Sequence, residues 1–194
     1  EQADFIDRLR ALKAAHPGVG PDDLELEVLE TNALDDTARV STVIRACQEM
    51  GIGFALDDFG TGYSSLTYLR QLPAQLLKID QSFVRDMLEQ PDDLSILEGI
   101  ISLAKAFRRR VIAEGVETLA HGEMLLRLGC DLAQGYAVAK PMPADAVPGW
   151  AASWRPDPSW RELKTSGREQ MPILSAWVEH RAWTGHVIRF LKDE

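Results

Sequence analysis

Short apolar runs alternate with longer amphipathic stretches along most of the chain. Leu24 to Glu30, Ile52 to Phe59, Leu76 to Asp80, Arg110 to Val116 and Leu132 to Val138 read as strands. Between them, Ala38 to Met50, Ser64 to Leu72, Leu94 to Phe107 and Ala120 to Leu128 carry apolar residues at helical spacing. Regular alternation of this kind is the sequence form of repeated βα units around a parallel sheet, which places the chain in the α/β class. Gly51 and Gly129 stand where a left-handed residue closes a helix before the next strand. Pro91, followed by Asp92 and Asp93, puts proline and negative charge where a helix begins.

The pattern then changes. Trp150, Trp154, Trp160, Trp177 and Trp183 all follow the last strand, and Pro156 and Pro158 interrupt the stretch between them. Leu174, Trp177, Val178, Arg181, Ile188 and Leu191 fall near one stripe, which predicts a helix from Pro172 to Lys192. The expected division is a main domain over 1–149 and a Trp-rich linker with a C-terminal helix over 150–194. His180 and His186 in that tail read as ordinary helix residues.

Composition narrows the function. A formal charge of −9 and a pI near 5.0 oppose binding of a nucleic-acid polymer, which needs clustered Lys and Arg, but leave room for a small anion screened by cations. Two cysteines, Cys47 and Cys130, imply no disulfide framework and read as core thiols of a protein in a reducing compartment. No apolar run reaches the length of a membrane span, and the acidic first residues do not resemble a signal peptide. The expected location is cytoplasmic, with any membrane anchor of a parent protein in segments outside this chain.

Chemistry gathers at the strand ends. In Leu24-Glu25-Leu26-Glu27-Val28, a period of two sends the apolar residues to one side and both acids to the other. The next strand ends in Asp57-Asp58-Phe59-Gly60-Thr61-Gly62, the following one carries Lys78 and Asp80 at the same parity, and the fourth ends Ala113-Glu114-Gly115-Val116-Glu117. Gln134-Gly135-Tyr136 comes last. One strand-end acid is most simply a helix cap or a solvated turn, but recurrence at successive strand ends is not explained that way. If the strands are neighbours in one barrel, Glu27, Asp57, Asp58 and Glu114 converge at its C-terminal mouth and repel one another unless cations neutralise them. An all-oxygen set fits the hard ions Mg²⁺ or Mn²⁺ better than Zn²⁺. Two such ions, roughly 3.5–4 Å apart, can activate water against a phosphodiester. Lys78 would then stabilise negative charge growing in the transition state, and the amide of Gln134 could orient ligand or water.

Leu-Glu-Val-Leu-Glu at 26–30, Asp-Asp-Phe-Gly-Thr-Gly-Tyr-Ser-Ser at 57–65, Lys-Ile-Asp at 78–80, Ala-Glu-Gly-Val-Glu at 113–117, Gln-Gly-Tyr at 134–136 and Lys-Pro-Met-Pro at 140–143 together resemble the EAL-domain family. The resemblance implies a TIM-like (β/α) barrel that hydrolyses the bacterial second messenger cyclic di-GMP to linear pGpG with two Mg²⁺ or Mn²⁺ ions, Ca²⁺ being inhibitory. It makes Glu27, Asp57, Asp58 and Glu114 the metal-binding acids and Lys78 the catalytic lysine, with Glu114 also part of the catalytic set. Glu117, Gln134 and Pro141 match positions lining the substrate site. Glu30 matches a glutamate that tethers the loop after the paired aspartates, here Phe59, Gly60, Thr61, Gly62 and onward, which the family links to dimerisation and regulation. A homodimer is therefore expected. Leu29 stands where the family usually has threonine.

The family's Glu-Ala-Leu segment, with its metal-binding glutamate, and a strand bearing a metal-binding asparagine belong upstream of this chain. The expectation is thus an incomplete barrel of about five of eight strands, preceded by a helix over 1–16, followed by a helical extension, and exposing two sheet edges. Two other readings fit some of these residues: a non-catalytic cyclic di-GMP receptor, and a dimerisation or regulatory module that binds no ligand.

Overall fold

The computed structural model of the chain describes residues 4–20, 23–62, 66–161 and 163. Five strands, β1 (Glu25–Leu29), β2 (Gly53–Phe59), β3 (Leu76–Ile79), β4 (Arg110–Ala113) and β5 (Leu132–Ala133), form one sheet in the order β1-β2-β3-β4-β5. The sheet is parallel and does not close on itself. β1 lies beside β2 with Glu25 opposite Gly53 and Leu29 opposite Asp57, and β4 beside β5 with Ile112 opposite Leu132. Strand position explains burial. β2 and β3 are flanked on both sides, so Phe54, Ala55, Leu56, Leu76, Leu77 and Ile79 are buried, whereas edge strand β1 alternates between exposed and half-buried residues.

The intervening helices are α1 (Phe5–Ala15), α2 (Glu30–Asp35), α3 (Thr37–Glu49), α4 (Leu66–Gln71), α5 (Gln81–Asp86), α6 (Pro91–Ala106) and α7 (Leu119–Leu128); α8 (Val147–Ser153) and α9 (Pro158–Arg161) follow β5. Side-chain caps open several of them. Asp36 accepts from the Arg39 N–H at α3, Asp80 from the Ser82 N–H at α5 and Thr118 from the His121 N–H at α7. Gly51 and Gly129 follow α3 and α7 with positive φ, as their positions predict.

The βα alternation expected from the pattern is present, but several boundaries differ. β3 stops at Ile79 because Asp80 leaves the ladder to cap α5, a helix that the periodicity did not predict. β4 stops at Ala113, just before Gly115 turns left-handed. β5 is two residues long, because Ala137 N–H and Val138 N–H fold back to Val116 and Gly135 carbonyls. α6 starts at Pro91 with Asp92 and Asp93 in its first turn, where the proline and the two acids mark a helix start, and ends at Ala106. The terminal helix predicted over 172–192, with His180 and His186, lies outside the described residues.

The fold divides into two compact units, residues 1–78 with 105–110, and residues 79–104 with 111–194. In the first, Ile44 and Cys47 of α3 are buried, as are Phe54, Leu56, Leu69 and Leu77. In the second, Leu94, Leu97 and Ile101 of α6 and Leu125 and Leu128 of α7 form the buried face. Cys47 and Cys130 are buried and are not joined in a disulfide, and burial pushes the Cys47 thiol above its ordinary pKa. Among the described residues no helix is long and apolar enough to cross a membrane.

Candidate active site

In the first unit, the C-terminal ends of β1, β2 and β3 bring three charged side chains together. Register explains the meeting. Glu27 stands opposite Ala55, two residues before Asp57, so Glu27 and Asp57 share the parity of one face. Lys78 reaches between them: its Nζ is 2.8 Å from Glu27 Oε1 and 2.9 Å from Asp57 Oδ1. The Lys78 side chain is 8% exposed, against 20% for Asp57 and 47% for Glu27. A buried ammonium needs compensating charge, and two carboxylates supply it.

Asp58 departs from regular strand geometry. Neighbouring strand residues point to opposite faces, yet Asp58 has φ 54°, the left-handed conformation that a non-glycine residue adopts at a cost. That reversal lets Asp57 and Asp58 each place a carboxylate oxygen within 4.8 Å of the other. Both residues are half-buried. This acidic cluster offers oxygen donors in a setting that suits a hard divalent cation.

The chain after Asp58 is held by Glu30. This glutamate is fully buried at the start of α2, and its Oε2 accepts from the Gly60 N–H at 2.9 Å and the Gly62 N–H at 3.4 Å. Phe59 is buried beside them, and Thr61 Oγ1 donates to the Asp58 carbonyl at 2.9 Å. The turn is therefore fixed at Gly60, Thr61 and Gly62 by a single buried carboxylate and one hydroxyl.

In the second unit, Glu114 follows β4 directly, and its N–H donates to the Ile79 carbonyl at 3.2 Å. Gly115 has φ 68°, and a β-carbon there would lie 2.6 Å from Gln81 Cβ, so the turn packs directly on α5. Val116 N–H donates to Gln134, and Ala137 N–H donates to Val116. Glu114 is half-buried in this turn and Glu117 is exposed. Gln134 and Pro141 line one open cleft of about 350 Å³ with Tyr136, Lys140, Met142 and Trp150, and Lys140 Nζ lies 6.0 Å from the Tyr136 ring centroid.

The EAL domain family matches residues 1–141. The chain belongs to this family. The chain is 41% identical over 145 residues to the bifunctional diguanylate cyclase/cyclic di-GMP phosphodiesterase MucR of Pseudomonas aeruginosa, covering 75% of this chain and 21% of MucR. It is 38% identical over 157 residues to the cyclic di-GMP phosphodiesterase NbdA of the same species, covering 80% of this chain and 20% of that relative. The chain thus spans about a fifth of the length of these curated relatives. Among solved structures, it is similar to the EAL domain of Mycobacterium smegmatis DcpA with a TM-score of 0.73 and 35% identity, over 80% of this chain and 70% of that one. It is also similar to the PaMucR phosphodiesterase in complex with c-di-GMP, with a TM-score of 0.72 and 40% identity, over 75% and 59% of the two chains. EAL domains have a TIM-like barrel fold, and this EAL domain shares its parallel strands and helices in an open sheet.

Two features of this EAL domain's site escaped the sequence pattern. Gln81 supports the turn after Glu114, and a strand that runs through Asp80 hides it, because the start of α5 then leaves no signal. The left-handed Asp58 had one local signal, the glycine-rich turn that follows it; Asp is also among the residues that tolerate this conformation.

Proposed function

We propose that this EAL domain carries the carboxylates and the lysine of a cyclic di-GMP phosphodiesterase, a hydrolase that opens the cyclic dinucleotide to linear pGpG. The observation that carries the proposal is Lys78, buried between Glu27 and Asp57 at adjoining strand ends. The relatives named cyclic di-GMP phosphodiesterases and the similarity to a structure in complex with c-di-GMP support the choice of substrate.

The donors fit a divalent metal. Glu27, Asp57, Asp58 and Glu114 offer carboxylate oxygens only, which suits two ions of Mg²⁺ or Mn²⁺, with Ca²⁺ a bound but inhibitory substitute. Such ions supply charge neutralisation of the phosphodiester and lower the pKa of water. Lys78 supplies a compact positive charge for the phosphoryl oxygens, and Glu27 and Asp57 fix its position. Hydrolysis to pGpG adds water oxygen to phosphorus while one P–O3′ bond breaks and the 3′ oxygen takes a proton. Glu117, Gln134 and Pro141 belong to the substrate side of the same proposal, with Gln134 orienting ligand through its amide. Glu30 and the turn at 59–62 belong to its regulatory side, through which two copies would pair.

The test is conversion of cyclic di-GMP to pGpG by the 194-residue chain with Mn²⁺ or Mg²⁺, and binding of the dinucleotide in Ca²⁺. Metal-dependent turnover is expected, with Lys78→Met and Glu114→Gln each slowing it by about 100-fold or more. Binding without turnover would make the chain a receptor, and absence of both overturns the proposal. Sedimentation in the same buffers measures the dimer.

A further inference from the structure

We propose that residues 154–161 form a strap that fixes the turn carrying Glu114 and Glu117, with Trp160 as its positioning residue. The consequence for activity rests on the reading of Glu114 as a metal-holding acid; the mechanical part stands on geometry in the second unit alone.

The strap is anchored by two indole N–H groups, and each lands on a flank of the same turn. Trp160 Nε1–H donates to the Leu119 carbonyl at 2.9 Å, one residue beyond Thr118, whose side chain caps α7. Trp154 Nε1–H donates to the Val138 carbonyl at 3.0 Å, next to Ala137, whose N–H holds the Val116 carbonyl at 2.9 Å. The turn is thus gripped from its C-terminal side by Trp160 and, through Ala137 and Val138, from its other side by Trp154.

The seat for Trp160 is built into α7. Gly122 lies one helical turn after Thr118, and a β-carbon there would sit 2.5 Å from Cε2 and Cζ2 of the indole. Only a residue without a side chain admits the ring at this depth. Asp157 organises the strap: its Oδ1 accepts from the Ser159 N–H at 2.9 Å and its carbonyl from the Trp160 N–H at 3.0 Å. A cleft of about 310 Å³ lies between the strap and the α7 and β5 surface, lined by Leu125, Leu126 and Pro156 among others, so the attachment depends on the two tryptophans rather than on continuous packing. The strap, at 154–161, lies beyond position 141, where the family match ends.

The experiment compares the full chain with Trp160→Ala, Trp160→Phe and Gly122→Ala by amide hydrogen exchange and by Mn²⁺-dependent kinetics. Trp160→Ala is expected to speed exchange at the hydrogen-bonded Val116 and Ala137 amides by about tenfold while leaving β1 and β2 within about twofold of the original. Trp160→Phe keeps an aromatic ring but loses the N–H donor and part of the indole surface seated on Gly122, so its effect falls between. Gly122→Ala raises the intrinsic helicity of α7 while displacing the ring, so faster exchange in the turn cannot come from a weakened helix. If wild type turns over substrate, Trp160→Ala should lower kcat by about tenfold with KM within about twofold, the split expected of misplaced acids. Unchanged exchange at Val116 and Ala137, or equal acceleration throughout the chain, overturns the strap. A wild type without turnover sinks the functional reading instead, and the exchange comparison still decides the strap.

Discussion

Asp58 and Glu30 show how single residues set the local form of this site. The left-handed Asp58 reverses the alternation of a strand, and the chain that emerges is caught by the buried Glu30 carboxylate through two glycine N–H groups. Removing that carboxylate leaves two half-buried N–H donors without their acceptor, a loss of roughly 1 kcal/mol. Glu30→Ala should therefore lower the unfolding free energy by that amount and move the urea midpoint down in proportion, and Glu30→Gln should recover part of the loss through its amide oxygen. Two variants that unfold at the wild-type urea concentration would show that the turn is held by other means. The identities of the acids and of Lys78 were legible because they interrupt or end short apolar runs. The contact of Lys78 with both Glu27 and Asp57 was not, since it depends on the register of two pairs of strands.

At the scale of elements, turns and caps decided where strands end. A strand reading of 76–80 treats Asp80 as the partner of Lys78 on one face. In the fold, its carboxylate accepts from the Ser82 N–H at 2.9 Å, and also from the Ser82 hydroxyl, at the start of α5. Asp80→Ala should cost about 1 kcal/mol of stability, measured by denaturant titration, as the loss of an N-cap does. The turn after β4 makes a sharper test. An alanine at 115 would carry its β-carbon into Gln81 at a positive φ, so Gly115→Ala should cost about 1–3 kcal/mol. Its exchange protection at Val116 should fall with it. Hydrophobic periodicity found the βα order and helices α3, α4, α6 and α7 but not α2 or α5, whereas the shortness of β4 and β5 follows from Gly115 and Gly135, which let separate turns approach. A β-carbon on Gly135 would lie 2.4 Å from the Val116 backbone.

For the molecule as a whole, acid sensitivity should trace partly to His121. Its side chain is 7% exposed, Nδ1 has no hydrogen-bond partner, and burial pushes its pKa below the ordinary value, opposed by the nearby Glu117 and Asp86 carboxylates. The folded state therefore resists protonation while the unfolded chain accepts a proton near its usual pKa of about 6.5. Stability should fall as pH drops through that value towards the lower folded pKa, and be insensitive above it. Glu98 and Asp93 act with the opposite sign, because burial raises their pKa values and acid favours their neutral folded forms. The measurement is thus a difference: the drop in Tm between pH 7 and pH 5 should be smaller in His121→Leu than in wild type. Equal drops would remove His121 from the acid response.

By itself, the sequence determined the α/β class, the order of the strands, the family, and which acids, lysine and amide stand at strand ends, because side-chain periodicity and motif spacing are local properties. Tertiary structure alone decided the rest. Parallel register joined Glu27, Asp57 and Lys78; the reversal at Asp58 set two carboxylates side by side; close approach of Gly115, Gly135 and Gly122 to their neighbours fixed the turn after β4. Trp160 illustrates the difference, since its composition marked only a change of pattern, and its hydrogen bond to Leu119 spans 41 positions of chain. Such contacts depend on where packing places distant segments, which no periodicity within either segment encodes.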